Sequence, residues 1–88
     1  MEGDFDKLKA QLEEMSWPQI YFFKFICPAD SQTIARISSL FDNRSDLNIR
    51  ESSKGNYVSI STKEVKVSAA AVIHVYEEAA KIKGVISL

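Results

Sequence analysis

Ile20-Tyr21-Phe22-Phe23-Lys24-Phe25-Ile26-Cys27 is rich in aromatic and β-branched residues and is apolar on both alternating faces, which suits a strand at the centre of a sheet better than one at its edge. Pro28-Ala29-Asp30-Ser31 reads as the turn after it. Asp30 or Ser31 is placed to cap a helix running through Thr33, Ile34, Arg36, Ile37, Ser38, Leu40 and Phe41, with Ile34, Ile37 and Phe41 as its core stripe. Upstream, Phe5, Leu8, Leu12 and Met15 recur at helical spacing between Asp4 and Met15, with Asp4 as N-cap and Lys7, Lys9, Glu13 and Glu14 on the other side. Ser16-Trp17-Pro18 ends that helix, because the residue before proline is pushed out of the α region.

Downstream, Asp42-Asn43-Arg44-Ser45-Asp46 is a run of turn formers. Leu47 to Ser52 and Tyr57 to Thr62 both alternate with period two, and Ser53-Lys54-Gly55-Asn56 between them has hairpin chemistry. The alternation puts Leu47, Ile49, Val58 and Ile60 on a buried face, and Asn48, Arg50, Ser52, Tyr57, Ser59 and Ser61 on the opposite one. Lys63 to Val67 reads as a connector. Ser68 then caps a helix from Ala69 to about Lys83, with Val72, Val75, Tyr76, Ala79 and Ile82 as its stripe. Lys81 and Lys83 complement the dipole at its end, Gly84 supplies the stop, and Val85 to Leu88 is a last short strand.

Without the leading helix the order is strand, helix, strand, strand, helix, strand. The expected fold is therefore α+β, a ferredoxin-like βαββαβ two-layer sandwich: a four-stranded antiparallel sheet with two helices on one face, plus a short N-terminal helix. The 88 residues are expected to form a single domain, 1–88, with 1–15 as an N-terminal helical extension.

Bulk composition narrows the chemistry. The chain carries 11 Lys and Arg against 12 Asp and Glu, a net charge of -1, so it lacks the overall positive charge that non-specific phosphate binding requires. The acidic start, Met1-Glu2-Gly3-Asp4, is unlike a secretory signal, and the longest apolar run falls far short of the roughly 20 residues that span a bilayer. With a lone Cys27, which can close no intramolecular disulfide, these features lead to the expectation of a cytoplasmic protein with no membrane span.

The residues also carry a family resemblance. Ser52-Ser53-Lys54-Gly55-Asn56-Tyr57, followed by Val58-Ser59-Ile60-Ser61 and by Val75-Tyr76-Glu77-Glu78-Ala79-Ala80-Lys81-Ile82, resembles the YbeD-like family of small uncharacterised bacterial proteins, and the Trp17-Pro18 entry into an aromatic strand carrying Lys24 resembles that family's beginning. The resemblance implies an ACT-like version of the ferredoxin-like fold, with a regulatory or binding role and no enzymatic activity. ACT-like domains hold small ligands where the first strand meets the first helix. Here that loop, Cys27 to Ser31, has no glycine, and helix capping accounts for Asp30 as simply as amine binding does.

Two candidate sites emerge. The hairpin residues Ser53, Lys54, Gly55 and Asn56 offer donors for an anion or a partner's backbone, and tight-turn chemistry alone explains the same residues. The second site is a sheet face. If Tyr21, Phe23 and Phe25 point to the helices, Phe22, Lys24 and Ile26 share the other face with Arg50, Tyr57 and Ser59. Such a mixture marks a contact surface for a protein partner, a metabolite or a second copy in a homodimer, unless the leading helix folds over it. Single-stranded RNA is the alternative occupant, since Phe22 and Tyr57 flanked by Lys24 and Arg50 supply stacking and charge. Against it, the strand Tyr57 to Ser61 lacks the basic-Gly-aromatic run of the RNP motif, and nucleic acid is not favoured by the net charge.

Catalytic, metal and cofactor sites are not expected. His74 and Cys27 are the only soft ligands, too few for zinc. Cys27 ends a strand while His74 faces away from its helix's apolar stripe, so they form no nucleophile and base pair. Three glycines, Gly3, Gly55 and Gly84, make no phosphate-binding fingerprint.

Overall fold

A computed structural model describes residues 5–41 and 47–87. The elements run α1 (Asp6–Glu13), β1 (Gln19–Pro28), α2 (Ser31–Ser38), β2 (Asn48–Glu51), β3 (Tyr57–Lys66), α3 (Ala69–Ala80) and β4 (Ile86–Ser87). The strands form one four-stranded sheet in the order β2-β3-β1-β4, with every neighbouring pair antiparallel. Asp4, expected as an N-cap, the turn expected at 42–46 and Leu88 of the expected last strand lie outside the described residues.

β1 is central and pairs with β3 along its whole length, from Gln19 opposite Lys66 to Pro28 opposite Tyr57. Period-two alternation sends Phe23, Phe25 and Cys27 inward, where they are fully buried with Val58 and Ile60 of β3. The helices close this inner face. Phe23 packs against Phe41 and Tyr76, with ring centroids 5.4 and 5.6 Å away. Ile37 of α2 and Val72, Val75 and Ala79 of α3 complete the core, joined by Ile73, which the helical stripe had not included.

Several boundaries differ from the sequence reading, each for a physical reason. β3 does not stop at Thr62 but runs to Lys66, so the expected connector at Lys63 is strand. Its inward Glu64 and Lys66 disguised it. These two side chains pair with each other at 2.9 Å, and the Lys66 ammonium lies 5.8 Å from the Phe23 ring centroid. Pro28 closes β1 rather than opening a turn. β2 is shorter than expected, and Ile49, expected on the buried face, is 47% exposed because β2 is an edge strand. β4 likewise covers only Ile86–Ser87.

The helices are also shorter. α2 ends at Ser38, and Leu40 and Phe41 follow in turns closed by the Ile37 and Ser38 carbonyls. Asp30 occupies the N-cap position, but its carboxylate accepts from the Thr33 hydroxyl (2.9 Å) and not from the backbone. Ser68 caps α3 as expected, its Oγ accepting from the Ala71 N–H (3.2 Å). α3 ends at Ala80, and Gly84 follows with φ 85°. A Cβ there would stand 3.0 Å from Pro28 Cγ, so position 84 needs glycine for both its dihedral and its neighbour.

α1 answers where the leading segment goes. Leu12 is buried, Phe5 and Leu8 pack on the same core, and Phe5 stacks on Tyr76 of α3 at 6.2 Å. The helix thus joins the helical side and does not cover the outer face of the sheet. Met15, expected on its apolar stripe, is exposed instead, since α1 stops at Glu13. Trp17 takes over, donating from Nε1 to the Leu12 carbonyl (2.8 Å) just before the cis Trp17-Pro18 bond.

Candidate functional site

The outer face of the sheet is built by the same alternation that fills the core. β1 contributes Ile20, Phe22, Lys24 and Ile26, and β3 contributes Tyr57, Ser59, Ser61, Lys63 and Val65 opposite them. Asn48 and Arg50 of β2 pair with Ser61 and Ser59, and Ile86 of β4 pairs with Ile26. Phe22 and Tyr57 are 54% and 53% exposed, and Ile20, Val65 and Ile86 are more open still. The cations on this face are Lys24, Arg50 and Lys63, and no Asp or Glu points to it from the paired strands. A chain with a net charge of -1 therefore has one face of opposite sign.

All six residues anticipated for this surface, Phe22, Lys24, Ile26, Arg50, Tyr57 and Ser59, have the register parity of this face. All of them but Lys24 line one or the other of two open depressions. One of about 360 Å³ lies beside Phe22, Asn48, Ser61 and Lys63. The other, about 250 Å³, is lined by Ile26, Arg50, Glu51, Tyr57 and Ser59 among others. Lys24 pairs with Ser61 in the strand position between Phe22 and Ile26. Phe22 and Tyr57 are not neighbours: Tyr57 is opposite Pro28, and the step from 22 to 28 along β1 spans about 20 Å. Lys63, Val65 and Ile20 were missed, because the connector reading of Lys63 to Val67 hid half of the patch. The signal was the alternation itself, since Lys63 and Val65 continue the parity of Ser59 and Ser61 past Thr62.

The hairpin is a different kind of structure. Gly55 has φ 72° and donates to the Ser52 carbonyl (2.9 Å), Ser52 N–H donates to the Tyr57 carbonyl (2.8 Å), and Tyr57 N–H donates to Ser52 Oγ (3.2 Å). The Asn56 carbonyl accepts from Ala29 N–H (3.0 Å), tying the hairpin to the loop between β1 and α2. These bonds are what a tight turn requires. Ser53, Lys54, Gly55 and Asn56 are exposed, and of these four Gly55 and Asn56 take part in the bonds of the turn.

Cys27 and His74 are not brought together. Cys27 is fully buried on the inner face, where burial and then the Asp30 charge push its thiol up. His74 is exposed on α3. Among the described residues no group of His, Cys, Asp and Glu is placed to hold a metal ion, and no helix is long and apolar enough to cross a membrane. Besides the Glu64 and Lys66 pair, the inner face has two further polar features. The Tyr21 and Tyr76 hydroxyls share a hydrogen bond of 3.1 Å, and burial followed by that contact raises Tyr76 well above the ordinary tyrosine range. Thr62 Oγ1 is buried without a hydrogen-bond partner among the described residues.

Fold and surface together define a small α+β protein with an uncovered, apolar and cationic sheet face. The family model described as "Protein of unknown function (DUF493)" matches residues 12–88, and the chain belongs to that family, which is the one the YbeD-like resemblance pointed to. No curated protein and no solved structure matches the chain.

Proposed function

We propose that this protein is a non-catalytic binding module that engages a protein partner through the outer face of its sheet. The observation that carries the reading is the composition of that face: exposed Ile20, Phe22, Tyr57 and Val65 interspersed with Lys24, Arg50 and Lys63, against one acidic residue, Glu51, that lines a depression at its β2 side. Apolar anchors surrounded mainly by one sign of charge fit a partner presenting apolar side chains among Asp and Glu. The two depressions are open, which suits a macromolecular surface better than an enclosed metabolite. A ferredoxin-like fold of the ACT-like kind, with a regulatory role in the bacterial cytoplasm, belongs to the same reading. Its support is the βαββαβ element order after α1 and the YbeD-like resemblance. A buried, reduced Cys27 suits that compartment.

The test compares the wild type with Arg50→Glu and Tyr57→Ala as bait in the source cell's lysate. A protein captured by the wild type and lost from both variants is the expected outcome, and a capture that neither variant alters would refute the reading. RNA binding is the second reading, favoured by the exposed Phe22 and Tyr57 beside cations. Their separation of about 20 Å along the strands prevents adjacent bases from stacking on both. Salt-dependent affinity for single-stranded RNA that disappears in Phe22→Ala and Tyr57→Ala would establish it over the protein reading.

A further inference from the structure

Along β3 the outward side chains change size in the middle. Tyr57 stands at one end and Lys63 and Val65 at the other, with only Ser59 and Ser61 between them. The residues paired with the two serines are larger. Ser59 lies between Ile26 of β1 and Arg50 of β2, and Ser61 lies between Lys24 and Asn48. The serines are half-buried, whereas Lys24, Asn48 and Arg50 are exposed. Ser59 and Ser61 therefore floor a trough that runs along β3, walled by outward side chains of β1 and β2 that start about 10 Å apart. Both depressions lie along it, since Ser61 lines one and Ser59 the other. From Tyr57 to Lys63 the trough spans about 20 Å.

The floor of the trough offers nothing to an extended chain. At Ser59 and Ser61 β3 has a bonded strand on each side, so its backbone N–H and C=O groups are used within the sheet. A strand laid over them would lose water from its own peptide groups without gaining partners. A helix carries its backbone bonds within itself and is about 10–12 Å across, close to the spacing of the walls. Charge narrows the occupant further. Arg50 is level with Ser59 on one wall, Lys24 is level with Ser61 on the other, and Lys63 stands beyond them opposite Phe22. None of the three cations has an ion-pair partner among the described residues, and together they outnumber Glu51 near Arg50. Two such faces brought together would set cation against cation, so a symmetric contact between copies is disfavoured.

We propose, resting on the reading of the outer face as a partner surface, that the partner's docking element is an acidic amphipathic α-helix lying in this trough along β3. Small residues of the helix, alanine or serine, lie over Ser59 and Ser61, and larger apolar ones meet Phe22 and Ile26. Acidic residues on its two flanks meet Lys24 and Arg50. These two cations are about 7 Å apart along the strand direction and on opposite walls. Five residues advance a helix by about 7.5 Å and turn it by about 140°, so acids about five positions apart reach both walls. About 13 residues of helix fill the 20 Å between Tyr57 and Lys63.

A displayed library of random peptides of about 18 residues, selected on the full chain, supplies the probes. Selected peptides are expected to gain helical circular dichroism on binding, to carry Asp or Glu about five positions apart, and to lose about tenfold or more in affinity when a central residue becomes proline, a readout that needs no variant of the protein to fold. Ser61→Trp fills the trough without touching a charge. It and Lys24→Glu are each expected to weaken binding about tenfold or more, whereas Lys83→Glu, the same charge change beyond α3, is expected to leave it unchanged. Lys in place of one acidic residue of the peptide is expected to restore binding to Lys24→Glu. A selection that enriches nothing, peptides that bind without becoming helical, binding that survives Ser61→Trp, or a charge swap that restores nothing would each overturn the proposal. A dimer of this chain, or an affinity for single-stranded RNA, that Ser61→Trp abolishes would give the trough to another occupant and overturn it as well. In the lysate capture, a partner lost from Arg50→Glu and Tyr57→Ala but held undiminished by Ser61→Trp would refute the helix in the trough and leave the partner surface standing.

Discussion

The two faces of the sheet are made from the same strands and from similar residues, yet only one is a core. Phe23 and Phe25 point inward and are fully buried, whereas Phe22, between Tyr21 and Phe23 in the chain, is half exposed. The difference lies in what each face meets. Tyr76 of α3 and Phe41 beyond α2 close over the inner face, and α1 adds to that side through Phe5 and Tyr76. None of the described helices turns to the other. Hydrophobicity in this chain therefore has two meanings, structural cohesion on one parity of the strand and availability for contact on the next.

The largest contrast is expected between neighbouring phenylalanines. Phe23→Ala should destabilise the fold by about 3–5 kcal/mol, since it removes a buried ring that touches Phe25, Phe41 and Tyr76. Phe22→Ala should change stability by less than about 1 kcal/mol. Denaturant unfolding of the two variants measures this, and equal losses would break the distinction between the faces. A smaller effect, of opposite sign, is expected at Thr62. Thr62→Val keeps the shape while deleting a buried, unpartnered hydroxyl, and should stabilise by about 1 kcal/mol. The same change at the outward Ser61, Ser61→Val, should bring little gain by the same measurement.

The smallest expected effect is on the alkaline side. Tyr76 keeps its proton in the fold above the ordinary tyrosine value of about 10, through burial first and the Tyr21 hydroxyl second. The unfolded chain gives up that proton at lower pH, so the associated stability is complete below about pH 10 and declines as pH rises beyond it. Stability followed from pH 9 to 11 should fall less steeply in Tyr76→Phe than in the wild type, whatever the starting stability of the variant. Identical slopes would show that Tyr76 is not the group responsible.

Much of this arrangement could be read from the residues, and the failures share a cause. The aromatic first strand, the Gly55 hairpin, the Ser68 cap and the six surface residues followed from period and turn chemistry, which are local properties. Three outcomes depended on which element lies beside which. Glu64 and Lys66 look like loop residues until they are seen to pair with each other on an inward face. Ile49 has a core residue's pattern, but β2 stands at the edge with no second neighbour to shield it. The Phe5, Leu8 and Leu12 stripe announces that α1 must bury something without saying which side of the sheet it will choose.

Neighbourhood also decides the part played by Gly84. Its backbone lies against Pro28 so closely that the smallest side chain would press on the ring, and its dihedral is one that other residues enter at a cost of about 1–2 kcal/mol. Gly55 has a similar dihedral but open space around it, so asparagine can stand in for it, whereas a side chain at position 84 also needs the Pro28 ring to give by a few tenths of an ångström. Position 84 thus acts as the gauge of the molecule: it sets how near α3's exit passes to the end of β1 and so where β4 lands.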